Sequence, residues 1–289
     1  MNIIFIIGQH RTGSTLLKNI LDTHSQITMA FDEMNLFEPF RKNTLDKLFK
    51  KMEPTPTVFI DLLKSKKIYG TFWKDFEKSN ISYEELLSEL EKYETLNEVI
   101  ILEMILELLR KKNNSKLEGI KYPVHFRKIS YLLKNFPKAK IIFLTRNPKA
   151  IIASKINDPA TKKRKQNAKF KSVLIHYFTL FYFCLEFNSS VKTYFKNKNN
   201  LHLVTYENLV QDKEHTVKYI CDFCEVEFKK NMLDVSGKES SFENKQSKTM
   251  HRKSLEKYRD VLSSFDQKLI DLITWRFNKK ILNEPHPHI

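Results

Sequence analysis

Two glycines near the start of the chain bracket a short loop whose composition suits it to bind an anion. Gly8 and Gly13 enclose four residues, as in the phosphate-binding pattern G-x-x-x-x-G-K-[ST], and Ser14 and Thr15 follow. A loop between a buried strand and a helix directs backbone N–H groups and the positive end of the helix dipole at an anion. Ser14 stands where the lysine of that pattern would be, so the positive charge comes from Arg11 inside the loop. The hydroxyl groups of Ser14 and Thr15 are further donors to phosphate oxygens.

A second arginine stands where a magnesium-dependent enzyme would need an acid. Nucleotide hydrolases that use magnesium hold the metal with an acid near the end of a neighbouring strand. The predicted strand over 140–145 is instead followed by Arg146 and Asn147. This substitution favours a nucleotide whose reaction does not use the metal, and we predict no metal site.

Buried strands and amphipathic helices alternate in an order that would position both loops. Apolar runs predict strands over 3–7, 119–123, 140–145 and 201–205. Apolar spacing predicts helices after the glycine-bracketed loop, over about 126–133, from Pro148, from about 206 to 224, and over about 266–279. Strands that alternate with helices favour a parallel sheet with right-handed crossovers.

The remaining segments carry weaker patterns. Residues 34–115 predict a helical insert, interrupted by Pro54 and Pro56. The apolar stretch 173–187 is shorter than the ~20 residues that a membrane-spanning helix needs and predicts a buried core helix. Residues 162–165, Lys-Lys-Arg-Lys, predict a basic connector, and 236–253 a polar loop.

Composition bounds the class of protein. The 289 residues carry 50 Lys and Arg against 34 Asp and Glu, a net charge of +16, which indicates an anionic partner without choosing one. A hydrophobic content of 41% excludes a disordered chain. Three cysteines favour a reducing compartment, and the opening apolar run is too short for a signal peptide. We therefore expect one cytoplasmic domain over 1–289 with no membrane span.

Two motifs together resemble the PAPS-dependent sulfotransferase family, in the loop-arginine and carboxylate-base form of the tyrosylprotein and related bacterial branches. The segment 11–17, Arg-Thr-Gly-Ser-Thr-Leu-Leu, is similar to the family's 5′-phosphosulfate loop. Arg146 with Ser154, eight residues later, resembles its 3′-phosphate motif, and segments 121–125 and 206–210 also look familial. The resemblance covers most of the chain and implies a P-loop NTPase-like three-layer α/β/α fold.

The resemblance implies roles for the residues of the first loop. The donor would be PAPS, 3′-phosphoadenosine 5′-phosphosulfate, and the product PAP. Arg11 would bind the 5′-phosphosulfate and stabilise the charge that grows on the leaving phosphate. The same group would be cradled by the backbone amides of Thr12, Gly13, Ser14 and Thr15.

It also implies roles elsewhere in the chain. Arg146 and Ser154 would bind the 3′-phosphate, which distinguishes this nucleotide from ATP and ADP. Tyr206 could lie near the nucleotide or be a core residue. Lys121 could position the substrate or form a surface salt bridge.

Transfer to a hydroxyl or amine also needs a base for the acceptor proton. In the resembled branches this is a carboxylate about twenty residues beyond the loop arginine. Asp32 and Glu33 are both available, and we favour Glu33 because an acid followed by an apolar pair resembles the usual context. One of the two could instead cap the following helix, and His24 is a weaker candidate. The cytosolic branch's loop lysine and catalytic histidine are not clearly present, and Asn147 stands where Asp is common, which leaves branch and acceptor open.

The predicted function is therefore in-line transfer of a sulfuryl group from PAPS to an acceptor hydroxyl or amine. A small molecule, carbohydrate or lipid is the favoured acceptor, and peptide tyrosine stays open. One alternative is a P-loop kinase or phosphohydrolase, against which the missing lysine and strand-end acid argue. Another is a non-enzymatic nucleic-acid or polyanion binding protein that uses the positive charge, although no nucleic-acid motif is present. Cys221-x-x-Cys224 has no second pair to complete a zinc site, so we expect both cysteines in the core.

Overall fold

A parallel sheet forms the middle layer of the protein. The computed structural model describes residues 2–30, 43–68, 76–77, 79–167, 172–236 and 253–284. The strands of these residues are β1 (Ile3–Gly8), β2 (Ile27–Met29), β3 (Leu117–Lys121), β4 (Lys140–Thr145) and β5 (His202–Thr205). Their order across the sheet is β2-β3-β1-β4-β5, and every neighbouring pair is parallel. The predicted α/β fold with a central parallel sheet is confirmed.

The helices run in the chain order expected of crossovers. The α-helices of the described residues are α1 (Ser14–Leu21), α2 (Leu45–Leu48), α3 (Pro56–Lys64), α4 (Tyr83–Leu90), α5 (Glu98–Lys112), α6 (Ile129–Asn135), α7 (Pro148–Ile156), α8 (Pro159–Asn167), α9 (Ser172–Asn197), α10 (Tyr206–Gln211), α11 (Lys213–Cys224), α12 (Lys253–Glu256) and α13 (Ser264–Leu282). Short 3₁₀ turns cover Pro123–Lys128, Lys198–Asn200, Lys230–Leu233 and Lys257–Asp260.

The alternation of side chains along β1 sends apolar residues into two cores, one on each face of the sheet. Ile4 and Ile6 pack with α1 and α11, while Ile3, Phe5 and Ile7 pack with the helices between β2 and β3 and with α9. All five side chains are buried, as expected for a strand covered on both faces. Helices therefore flank the sheet on both sides, and the three-layer arrangement is confirmed.

Several boundaries differ from the sequence expectation. The strand predicted over 119–123 ends at Lys121, because Pro123 cannot donate to a ladder and begins the 3₁₀ turn instead. That turn and α6 replace one predicted helix over 126–133. The helix predicted from 206 to 224 is divided at Asp212 into α10 and α11, and the final helix is longer than predicted. Strand β2 was not predicted, since its three residues are too few to show a pattern.

The basic segment 162–165 was wrongly predicted to be a connector. It lies inside α8, which Pro159 begins. Lysine, arginine and glutamine are good helix formers, and proline is favoured at a first helical position. The low hydrophobicity of the segment indicated exposure rather than irregular structure.

The stretch 173–187 was wrongly predicted to be a buried core helix. It forms the first part of α9, where Leu180, Cys184 and Phe187 are buried but Phe178 and Phe181 are exposed. An apolar run without a period indicates a helix but does not tell how many of its faces are covered. Among the residues that the structure describes, no helix is both long and apolar enough to cross a bilayer.

Candidate functional site

The carboxyl ends of the strands meet at one edge of the sheet, where the topology changes direction. From β1 the chain moves to β2 and β3 on one side, and then to β4 and β5 on the other. In open parallel sheets ligands bind in the crevice at such a switch point. The loop after β1 and the segments that begin at Tyr122, Arg146 and Tyr206 all lie at this edge.

The loop after β1 requires glycine at both of its ends. Gly8 has a φ of 145°, and a Cβ there would lie 2.1 Å from the carbonyl oxygen of Leu144. Gly13 has a φ of 96°, and its Cβ would lie 2.4 Å from the ring of Tyr206. Arg11 also has a positive φ, 75°, which costs free energy in a residue other than glycine. The loop is therefore a tight turn with strain at the arginine.

The amino end of α1 is open to an anion. Its N-cap, Gly13, has no side chain to accept from the first amides, and the first turn contains no acid. Unsatisfied N–H groups and the helix dipole favour negative charge at such a terminus. The Thr12 hydroxyl donates to the carbonyl oxygen of Gln9 (2.9 Å), so that side chain stabilises the loop itself. Ser14 is buried and Thr15 half-buried at the same terminus.

The two arginines singled out in the sequence lie beside each other. The Arg11 Nε donates to the Ser154 hydroxyl (3.0 Å), and Arg146 Nη1 donates to the Arg11 carbonyl oxygen (3.3 Å). Ser154 lies in the last turn of α7, which begins two residues after Arg146. The structure thus brings both motifs of the sequence into one cluster.

Arg146 is half-buried, with a ring on one side of its guanidinium. Its Cζ lies 4.0 Å from the centroid of Tyr206, and Nη2 donates to the carbonyl oxygen of Ser254 (2.9 Å). Among the described residues, its buried Nε has no hydrogen-bond partner. Burial lowers the pKa of the guanidinium, and the neighbouring Tyr206 and Glu207 oppose that effect. A half-buried cation with an unused donor is suited to receive an anionic ligand.

Ser254 is a neighbour that sequence reasoning missed. The Tyr206 hydroxyl lies 3.0 Å from the Ser254 hydroxyl, so the start of α12 packs against the ring beside Arg146. Lys248, His251 and Arg252 of the predicted polar loop 236–253 lie outside the described residues. The polar stretch before Ser254 was the sequence signal that could have pointed to this contact.

Asn147 caps α7, a role that an amide fills as well as an acid does. Its side chain accepts from the backbone N–H of Lys149 (2.9 Å) and caps α7. Asparagine and aspartate are about equally good at an N-cap. Its own N–H donates to Glu207 (3.0 Å), which places that carboxylate near Arg146.

A buried polar cluster beneath the loop was also missed. The Gln9 Nε2 donates to the carbonyl oxygen of Phe183 (3.1 Å) and to Glu186 (3.0 Å), both on α9. Arg127, which follows β3, forms an ion pair with the other oxygen of Glu186. Glu186 therefore ties the loop after β1 and the segment after β3 to one helix. Partners 177 residues apart leave no sequence signal.

Lys121 and His125 lie at the same edge, one strand from the loop. Lys121 is the buried last residue of β3 and pairs in register with Ile6 of β1. His125 is buried in the following turn, with its ring 3.7 Å from that of Tyr122. Burial and Lys128 hold the pKa of His125 well below its usual range, so its ring is neutral at pH 7. A ring held neutral in this way is a weak base.

The remaining predictions of the sequence fall as follows. Asp32 and Glu33 lie outside the described residues. His24 is buried beyond the end of α1. Its Nε2 lies 2.8 Å from the carbonyl oxygen of Glu227, a residue that belongs to neither motif. Cys221 and Cys224 are buried as predicted. Within the described ranges no group of three or more His, Cys, Asp and Glu could hold a metal ion.

The fold and the site together define a class: a three-layer α/β/α protein with a parallel sheet and an arginine-bearing loop at the point where the strand order reverses. Residues 3–230 match the sequence profile of the sulfotransferase family, and the chain belongs to that family. Sulfotransferase 2A6 of Mus musculus is 28% identical over 157 residues, or 51% of this chain and 52% of that protein. The chain thus spans about half the length of this curated relative.

Solved structures share the fold over nearly the whole chain. The sulfotransferase domain of the Synechococcus PCC 7002 olefin synthase has a TM-score of 0.62 at 19% identity, covering 99% of this chain and 96% of that one. The mouse sulfotransferase SULT7A1 complexed with PAP has a TM-score of 0.50 at 12% identity, covering 98% and 85%. At such identities the likeness establishes the fold.

Proposed function

We propose that the protein transfers a sulfuryl group from PAPS to an acceptor hydroxyl or amine and releases PAP. The observation that carries this proposal is the cluster of Arg11, Ser154 and Arg146 beside the open amino end of α1. Two arginines and a helix terminus suit a ligand with two separate phosphate-bearing ends. Family membership supports the reaction, and the PAP complex of the mouse relative supports the nucleotide.

The residues present fit such a nucleotide. The guanidinium of Arg146 lies against the ring of Tyr206, and its buried Nε–H has no hydrogen-bond partner among the described residues. This arrangement suits one phosphate of the nucleotide. The uncapped amides at Gly13 and after it suit the other. The clash of any Cβ at Gly13 with Tyr206 indicates how closely the loop and this ring approach. We therefore assign Arg146 and Ser154 to the 3′-phosphate, and Arg11 with residues 12–15 to the 5′-phosphosulfate.

PAPS supplies an activated sulfuryl group, whose bond to the 5′-phosphate oxygen breaks as the acceptor oxygen bonds to sulfur. Arg11 and the amides of α1 stabilise the charge that the departing phosphate gains. Removing one oxyanion donor of this kind raises an activation barrier by about 3 to 4 kcal/mol. Lys121 positions the acceptor from the end of β3. Arginines perform the neutralisation that magnesium performs in nucleotide hydrolases.

We assign the base to Glu33, with Asp32 as the alternative from the sequence. The base takes the proton that the acceptor oxygen loses as its bond to sulfur forms. Glu33→Gln should retain PAP affinity and lose most turnover, because glutamine keeps the shape and cannot accept the proton. Asp32→Asn is the matched control and should retain turnover. Unchanged turnover in Glu33→Gln would move the base to Asp32 or elsewhere.

The direct test is transfer of label from sulfur-labelled PAPS into a cell extract, followed by mass identification of the product. We expect label in a small molecule, carbohydrate or lipid, with one PAP released for each group transferred. Magnesium-stimulated hydrolysis of ATP without label transfer would instead indicate a kinase or phosphohydrolase.

A further inference from the structure

Large apolar side chains are exposed on two neighbouring helices. Of the exposed large apolar side chains in the described residues, seven lie on α9, four on α13 and two elsewhere. Phe178 is 71% exposed, and Leu272 and Trp275 of α13 are 71% and 60% exposed. Single exposed apolar residues are ordinary, but a contiguous group of this size marks a site of interaction.

The two helices present these side chains as one surface. The ring of Tyr177 on α9 lies 6.1 Å from that of Phe265 on α13. Farther along, the Asn188 side chain donates to the carbonyl oxygen of Ile273 (2.9 Å), which fixes the pairing of the helices. We name this surface the apolar face, represented by Leu174, Phe178, Phe181, Leu185, Leu272 and Trp275.

Cations border the apolar face. Lys268, Arg276, Lys279 and Lys280 are exposed on α13, among its exposed apolar side chains. Lys162 and Lys163 are exposed on α8, which packs against α9. The combination of aromatic, leucine and lysine side chains on one side is typical of helices that lie in a membrane interface.

Acids are few at the same surface. Glu186 is the single acid in α9, and it is buried with Gln9 and Arg127. Asp271 of α13 forms an ion pair with Lys149 (2.8 Å). The surface is therefore suited to an anionic apolar partner.

We propose that the apolar face docks on an anionic lipid bilayer, with α9 and α13 lying flat in the headgroup region. The exposed stretch of α9 spans about 20 Å along the helix axis, too short to cross a bilayer and long enough to rest on one. A second copy of the chain fits less well. A twofold contact through this face would bring its own cationic border against itself.

Docking would bring the nucleotide crevice close to the lipid. Gln9 is held by Phe183 and Glu186, which are buried side chains of α9, whereas Phe178 is exposed. One helix diameter, about 10 Å, thus separates the phosphate-binding loop from the bilayer. This proposal depends on surface chemistry alone and stands whether or not the nucleotide is PAPS.

Sedimentation with lipid vesicles tests it, using phosphatidylcholine alone and phosphatidylcholine with about a third phosphatidylglycerol. We expect the full chain to sediment with the anionic vesicles and to stay in solution with the neutral ones. The pair Leu174→Ser and Phe178→Ser should weaken binding roughly tenfold or more, since both side chains would lose their lipid contact. The pair Met52→Ser and Tyr93→Ser, apolar and exposed elsewhere, is the matched control and should bind as the unchanged protein does.

Two further measurements keep the outcome decisive. Circular dichroism and thermal melting should show that all variants fold alike, because each altered side chain is exposed. Binding that Lys268→Gln with Lys279→Gln abolishes, and that the Leu174 and Phe178 pair leaves unchanged, would show charge attraction alone and overturn the proposal. So would no binding at low salt. Light scattering that shows a dimer, dissociated by the Leu174 and Phe178 changes, would assign the face to a second copy instead.

Discussion

Arg11 has a strained backbone and a side chain that is hydrogen-bonded to Ser154. Its φ is 75°, and its Nε donates to Ser154 143 residues away. Strain of this kind is retained where the surroundings fix it and is common at functional sites.

Arg11→Ala should reduce turnover by about 10²- to 10³-fold, because a donor to the departing phosphate is lost. The melting temperature should change little, since the side chain is only half-buried and alanine does not increase the backbone strain. Measured kcat and thermal unfolding check this, with Lys229→Ala as a control at an exposed ion pair. Turnover within a few-fold of the unchanged protein would contradict the role.

Gly13→Ala should reduce both stability and nucleotide affinity. The added Cβ would lie 2.4 Å from the Tyr206 ring at a φ of 96°. We expect a loss of stability of about 1 to 3 kcal/mol from the backbone conformation and the displaced ring.

The double variant Gly13→Ala with Tyr206→Leu separates the two causes. It should recover part of the stability lost in Gly13→Ala by relieving the ring contact, without recovering the part due to φ. Chemical denaturation measures both. A Gly13→Ala protein as stable as the parent would show that the loop is less constrained than described.

At the scale of elements, β5 begins with a buried histidine. The ring of His202 stacks between Tyr219 and Phe223, with centroids 4.0 and 4.2 Å away. Burial lowers its pKa from 6.5 to about 4. It lies at the amino end of β5, opposite the candidate site, so its effect on stability can be read separately from activity.

The protein should therefore lose stability as the pH falls from 6.5 to 4. In that range the unfolded chain protonates His202 and the folded chain does not, which costs about 3 kcal/mol when complete. Above pH 6.5 the ring is neutral in both states and contributes no slope. His202→Phe should remove this part of the pH dependence, and the exposed His215→Gln should not. Equal slopes in urea unfolding of the parent and His202→Phe would contradict the prediction. The slope due to His125, of the same sign, should remain.

The sequence predicted the elements that position the site better than it predicted their contacts. Strands β1 and β4 and the glycine-bracketed loop show continuous apolar runs and fixed spacings, which are local signals. The Gln9–Glu186 bond and the side of α9 that stays exposed depend on packing between distant segments, and a uniform apolar run carries no information on either. The helix α8 was missed because low hydrophobicity was taken for irregular structure.

At the scale of the whole molecule, the structure shows where some of the cations behind the net charge of +16 lie. Arg11 and Arg146 face the crevice, and the cations of α8 and α13 border the apolar face. The composition indicated an anionic partner without choosing one, and we propose two: a nucleotide at the sheet edge and a lipid surface beside α9. The remaining cations contribute to the solvated surface and to steering of anions.

The central claim is that the crevice recognises a nucleotide with a 3′-phosphate. Isothermal titration of the protein with PAP and with ADP tests it most directly. PAP should bind at least about tenfold more tightly, because its 3′-phosphate gains charged hydrogen bonds from Arg146, and Arg146→Gln should abolish the difference. No binding of PAP, or equal binding of PAP and ADP by the unchanged protein, would contradict the account.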